Sequence, residues 1–125
     1  MKLPIIISEE FDISIHSSLE HAKNFLEPFD VQNRIFAVYD SEGLLLELTI
    51  EFLKIERHFL FCKWISSSEK ISIKEPDKKQ YRVTELKEKL ITYLKYSKKS
   101  TEDFHKYSIE ELLRMVEKYM PWKIF

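Results

Sequence analysis

The chain has 125 residues, 44% hydrophobic and 33% charged, with nine Phe, six Tyr and two Trp; this fits one globular domain (1–125) with its own core and excludes a disordered chain. A net charge of −1 at a pI near 6.4 excludes the strongly basic footprint of a dedicated nucleic-acid binder. One cysteine, Cys62, excludes an internal disulfide and suits a reducing compartment, so the cytoplasm is the expected location.

From the N-terminus, residues 3–7 carry an Ile triplet that reads as a buried strand, with Pro4 at its start or on a sheet edge. This run is too short for a signal peptide, and no stretch approaches the roughly 20 apolar residues of a membrane span. Phe11, Ile13 and Ile15 alternate with polar residues as a second short strand or an extended lead. Ser17 and Glu20 form a capping box that predicts a helix start near Ser17, with Leu19, Ala22, Phe25 and Leu26 on its apolar face. Pro28 stops it.

Residues 34–39 then read as a strand, residues 40–43 as a turn with the only glycine, Gly43, and residues 44–52 as the second strand of a hairpin. In that second strand Leu44, Leu46, Leu48, Ile50 and Phe52 share one side, and Leu45, Glu47, Thr49, Glu51 and Leu53 the other, mostly wet, side. Residues 55–65 continue as a strand able to pair antiparallel to the preceding one; either a bulge or bend joins the two, or the region is a single long, strongly curved strand. Ser66, Ser67 and Ser68 mark a turn, residues 70–74 a short strand and residues 75–79 a solvated loop.

The last third is helical. Leu86, Leu90, Ile91 and Leu94 predict a helix over residues 84–97, and Ser108 with Glu111 caps another bearing Ile109, Leu112, Leu113, Val116 and Met120 and closed by Pro121. The expectation is an α+β fold: a mostly antiparallel sheet with one N-terminal and two C-terminal helices packed on one of its faces. Trp122, Ile124 and Phe125 are expected to dock on the core rather than fray.

Catalytic and metal chemistry finds little footing. His58 and Cys62 would converge on an ion only on a helix; on a strand they stand about 13 Å apart. His16 and His21, five apart, would diverge by more than a right angle on one helix. A Cys62 nucleophile needs an adjacent base, and a single glycine argues against a phosphate-cradling loop. No cofactor is therefore expected. Lys70, Lys74, Lys78, Lys79 and Arg82, near Tyr81 and Trp64, are the best nucleic-acid candidates, but Glu69, Glu75 and Asp77 interrupt them and a solvated lysine-rich segment is the simpler reading.

The charge is lopsided. Residues 1–53 hold three basic side chains against ten acidic ones, and residues 54–125 hold seventeen against eleven. Either the acidic half presents a surface to a basic partner, or the two halves interleave and neutralise each other across the fold.

The run SLEHAKNFLEPFDV, followed by an aromatic strand ending in YDSEG and then LLLEL, resembles small single-domain bacterial immunity proteins encoded beside polymorphic toxins, including those of contact-dependent growth inhibition systems. The resemblance implies a protein that binds one cognate toxin domain and occludes it, without catalysis of its own. Many toxins of this kind act on nucleic acids and carry basic grooves, so the expected contact surface is the acidic side of the hairpin: Asp40, Glu42, Glu47 and Glu51, with Glu9, Glu10 and Asp12 as a second cluster. The alternative is a small enzyme or ligand-binding protein whose pocket gathers Cys62, His58 and aromatic residues.

Overall fold

A computed structural model describes residues 1–9, 12–26, 36–98 and 103–125. Glu10, Phe11, Pro28 and Arg34 lie outside the described residues. The chain runs β1 (Ile5–Glu9), β2 (Asp12–His16), α1 (Leu19–Phe25), β3 (Phe36–Tyr39), β4 (Glu47–Phe59), β5 (Cys62–Lys74), α2 (Val83–Lys98) and α3 (Ile109–Tyr119). Short 3-10 turns at Phe104–Lys106 and Pro121–Lys123 flank the last helix. The fold is α+β with antiparallel strand pairing throughout the two sheets.

The Ile5-Ile6-Ile7 run is central because β1 pairs with β2 on one side and β3 on the other. Both its faces are covered, so consecutive isoleucines are all buried. Pro4 precedes the strand and takes no ladder position; the edge placement that proline permits is not used. Ile6, Ile13, Ile15 and Tyr39 face α2 and α3, whereas Ile5, Ile7 and Val38 face α1 and the base of β4 and β5. The helices therefore divide between the two sheet faces, which corrects the expectation that all three share one. A period-2 strand buried on both sides needs cover on both.

Helix α1 begins one residue later than the sequence suggests. Ser18, not Ser17, caps it, its hydroxyl accepting from His21 N at 3.1 Å. Ser17 is engaged elsewhere: its N–H donates to the carbonyl of Phe125 at 2.8 Å. Helix α2 buries Leu86, Leu90, Ile91 and Leu94, and α3, capped by Ser108, buries Ile109, Leu112 and Val116, with Met120 buried just past its end. The C-terminal segment docks as expected: Ile124 bridges Ile15 in parallel, and Phe125 N donates to Ile15 O at 2.8 Å. Trp122 remains 65% exposed.

The turn at residues 40–43 holds the two halves of the fold together. Gly43 adopts φ +86°, and a Cβ there would meet the Val83 backbone at 3.1 Å. Glycine is thus required twice, for the left-handed backbone and for the approach of the α2 N-terminus. Arg82 N donates to Gly43 O and Leu45 N to Gln80 O, completing the junction. Strand β3 meets the chain after the turn only briefly, at Tyr39 opposite Leu45 and at Leu46 N to Val38 O. The expected 34–52 hairpin is real at its turn, but the second strand soon leaves β3 and takes β5 as its partner.

That second hairpin is longer than expected. Strands β4 and β5 are each 13 residues and pair without interruption from Glu47 opposite Lys74 to Phe59 opposite Cys62, a ladder of about 40 Å. Of the two alternatives for residues 44–65, neither places the turn: it falls at Leu60-Phe61, and Ser66, Ser67 and Ser68, read as a turn, are ladder residues opposite Ile55, Lys54 and Leu53 respectively. Continuous pairing satisfies the backbone of a serine run whose own propensity favours turns.

Candidate partner interface

The base of the β4–β5 arm is fixed by the core. Leu44, Leu46, Ile71 and Ile73 are buried with α1 residues Ala22 and Leu26, and Leu48 and Ile50 pack against them. The opposite side of the base carries Glu47 opposite Lys74, Thr49 opposite Ser72 and Glu51 opposite Lys70. Both glutamates are exposed, as the alternation predicts.

Beyond Ile50 the pattern changes sides. An unbroken ladder keeps positions 53, 55, 57 and 59, with 62, 64, 66 and 68 opposite, on the side of 47, 49 and 51. The sequence there is Leu53, Ile55, Arg57 and Phe59, with Cys62 and Trp64 across. Of the alternate positions, Glu56, His58 and Lys63 are exposed. Glu56 pairs with Lys63 at 2.5 Å and lies 3.4 Å from His58, and all three are exposed.

The arm ends in an apolar tip. Leu60 takes φ +54° and is 83% exposed, and Phe61 is fully exposed. A branched aliphatic residue in the left-handed region costs about 1 kcal/mol or more, and neither side chain is repaid by burial. The tip thus leaves two large apolar side chains in water, one of them on a left-handed backbone.

The four acidic candidates do not form one surface. Asp40 is 1% exposed, and its carboxylate accepts from Glu42 N and Leu44 N at 2.9 Å and from Lys2 N at 3.0 Å. It organises the turn and cannot meet a partner, which corrects its place in the expected interface. Glu42 is exposed beside Lys2 at 3.7 Å and lines a groove elsewhere. Glu47 and Glu51 share the arm's polar base, but lysines stand across from both, so this face alternates in charge rather than being acidic. Asp12, from the second cluster, is engaged by Lys123 Nζ at 2.6 Å and by the Tyr93 hydroxyl at 3.1 Å. Burial pushes the Asp12 carboxyl up, and the adjacent Lys123 ammonium more than offsets it, leaving the group below the ordinary carboxylate range. Local clustering of charge in sequence has become pairing of charge in space.

The basic candidates are accounted for similarly. Lys70 and Lys74 lie on β5 opposite glutamates, Lys79 is 3.7 Å from Glu75, and Arg82 is 3.9 Å from Glu85. The groove mentioned above has a volume of about 800 Å³ and is lined by Leu3, Ile109, Leu113 and Ile124 together with Lys2, Glu42 and Arg114. No β4 or β5 residue lines it, so it is not the pocket expected around His58 and Cys62. The change of side along β4 was readable in the sequence as a shift of apolar positions from even to odd numbers after Phe52. The tip was not, because Leu60-Phe61 carries none of the residues that mark a tight turn.

No described helix is long and apolar enough to cross a membrane. Comparison with protein-family models, with curated proteins and with solved structures finds no match for this chain.

Proposed function

We propose that this chain is a cytoplasmic immunity protein that neutralises a cognate toxin domain by binding and occluding it, without a cofactor or chemistry of its own. The observation that carries the reading is the β4–β5 arm, a ladder that runs on from its anchored base to Phe59 opposite Cys62 and whose turn leaves Leu60 and Phe61 in solvent. A two-stranded ribbon of this length has little stability by itself. A partner that covers its distal half contributes the missing burial, and paired strands present the anchor residues at low entropic cost. Glu47 and Glu51 lie exposed at the base of the same arm and serve at the rim. With lysines opposite, they act in orientation and specificity more than in long-range attraction.

The test is co-expression with the toxin domain encoded by the neighbouring gene. Growth rescue and a one-to-one complex are expected for the natural chain, and both are lost in the Leu60→Ser/Phe61→Ser variant while its circular dichroism is unchanged. Rescue that survives this change with undiminished affinity removes the arm tip from the interface. Failure of the natural chain to rescue or bind removes the immunity reading.

A second reading, a small ligand-binding protein or enzyme, is favoured by the groove of about 800 Å³ between the N-terminal segment and α3, a size suited to a small molecule. A metabolite screen by thermal shift distinguishes it: stabilisation abolished by Leu113→Arg and untouched by the tip variant supports the groove.

A further inference from the structure

We infer that His16 and His21 form an acid-sensitive clasp that holds the C-terminal segment, residues 121–125, against β2 and releases it when both imidazoles are charged. The segment is attached on either side of His16: Phe125 N donates to Ile15 O and Ser17 N donates to Phe125 O, each at 2.8 Å, and Ile124 bridges Ile15. Between those bonds the His16 ring is stacked on Phe125 at 5.2 Å and 13°, and Phe25 of α1 lies 4.8 Å away. His21 stacks on the same Phe125 ring at 5.7 Å. The two imidazoles meet through their Nδ1 atoms at 3.0 Å, and His16 Nε2 lies 2.9 Å from Ser14 Oγ. One proton sits between the Nδ1 atoms. With His16 Nε2–H donating to the hydroxyl, His16 Nδ1 accepts from His21 Nδ1–H, and a further proton on the other nitrogen of His21 leaves that bond intact.

A proton on His16 Nδ1 breaks it. Two N–H groups then stand head to head, and a second cation is created in a side chain with no exposed surface. The described groups around His16 do not answer that charge. β2 supplies Ser14, β1 supplies Ile5 opposite, and α1 supplies Phe25 and His21, with Glu20 exposed and Lys23 half-buried on the same helix. The Phe125 carboxyl group accepts from Ser17 N, and at the far end of β2 Asp12 and Lys123 pair with each other. Burial, followed by the neighbouring His21, accordingly lowers the His16 pKa from 6.5 to about 4. A released, hydrated His16 therefore takes up its proton before a clasped one does. The clasp is at full strength above pH 6.5 and weakens as pH falls toward 4, by up to about tenfold per pH unit. A charged His16 regains water only by leaving the ring cluster, and the ring stacked on it belongs to the segment. Ile15, Ser17 and Ile124 also line the groove of about 800 Å³, so release takes away part of its wall.

The experiment is amide hydrogen exchange by NMR between about pH 7 and pH 4, corrected for intrinsic rates and read as protection at Ser17 and Phe125, with the His16 ring titration followed on the same samples. In the natural chain, protection at these two amides is expected to fall by up to about tenfold per pH unit through this range, while the amides of α2 stay protected. In His16→Gln, which is neutral at every pH, the fall is expected to disappear. Protection that is constant with pH, that falls in step with α2, or that falls equally in His16→Gln overturns the clasp. Should His16→Gln fail to fold, the ring titration of the natural chain decides. Loss of protection at Phe125 that tracks the charging of His16 supports the clasp, and protection that persists after His16 has titrated overturns it.

Discussion

Glu47 stands directly across the β4–β5 ladder from Lys74, and Glu51 stands in the same way across from Lys70. These are residues from the acidic and basic halves of the sequence, brought together by strand pairing. Reversing Glu47 and Glu51 to Lys places like charges opposite one another, at a cost of about 0.2–1 kcal/mol per pair. Urea denaturation is expected to report that loss, and adding Lys70→Glu and Lys74→Glu is expected to restore most of it. A double reversal with no effect on stability would show that the opposed side chains do not interact.

Asp40 is buried with both carboxylate oxygens accepting backbone N–H groups. Asp40→Ala strands three donors and is expected to cost on the order of 3 kcal/mol, while Asp40→Asn, which keeps one acceptor oxygen, costs less. Denaturant midpoints at constant slope measure both. Equal losses would mean that turn geometry rather than the second oxygen sets the cost.

Gly43 permits both a left-handed turn and the contact with the Val83 backbone. Gly43→Ala is expected to destabilise by roughly 2 kcal/mol, combining the backbone penalty with the displacement of α2. Val83→Ala relieves only a side-chain contact and is not expected to rescue it.

Lys123 ties the turn after α3 to Asp12 at the start of β2. The folded-state pKa of Asp12 lies below its ordinary value of 3.8, so on acidification the unfolded chain takes up this proton first. The contribution is present above the ordinary carboxylate range and is lost as pH falls through the folded pKa. Asp12→Asn is expected to flatten the acid limb of stability against pH while leaving its slope near neutrality unchanged. An unaltered acid limb would exclude this pair as a source of acid sensitivity.

The sequence by itself determined the features that are settled within a few residues. Ser108 and Glu111 cap α3, Leu86, Leu90 and Leu94 recur on one side of α2, Gly43 marks a turn, and Leu44 to Ile50 alternate beside Glu47 and Glu51. Each depends on a cap, a period or a backbone angle that neighbouring residues impose. Only the tertiary structure decided what those elements meet. It divided the helices between two sheet faces, because the Ile5-Ile6-Ile7 run must be covered on both sides. It kept residues 66–68 in a ladder despite their turn propensity, buried Asp40 beneath the N-terminal segment and set Glu47 against Lys74. It also turned His16 and His21, divergent on a single helix, toward each other from a strand end and a helix. The physical reason is common to all of these: burial and strand register join residues far apart in sequence, and no local rule carries that information.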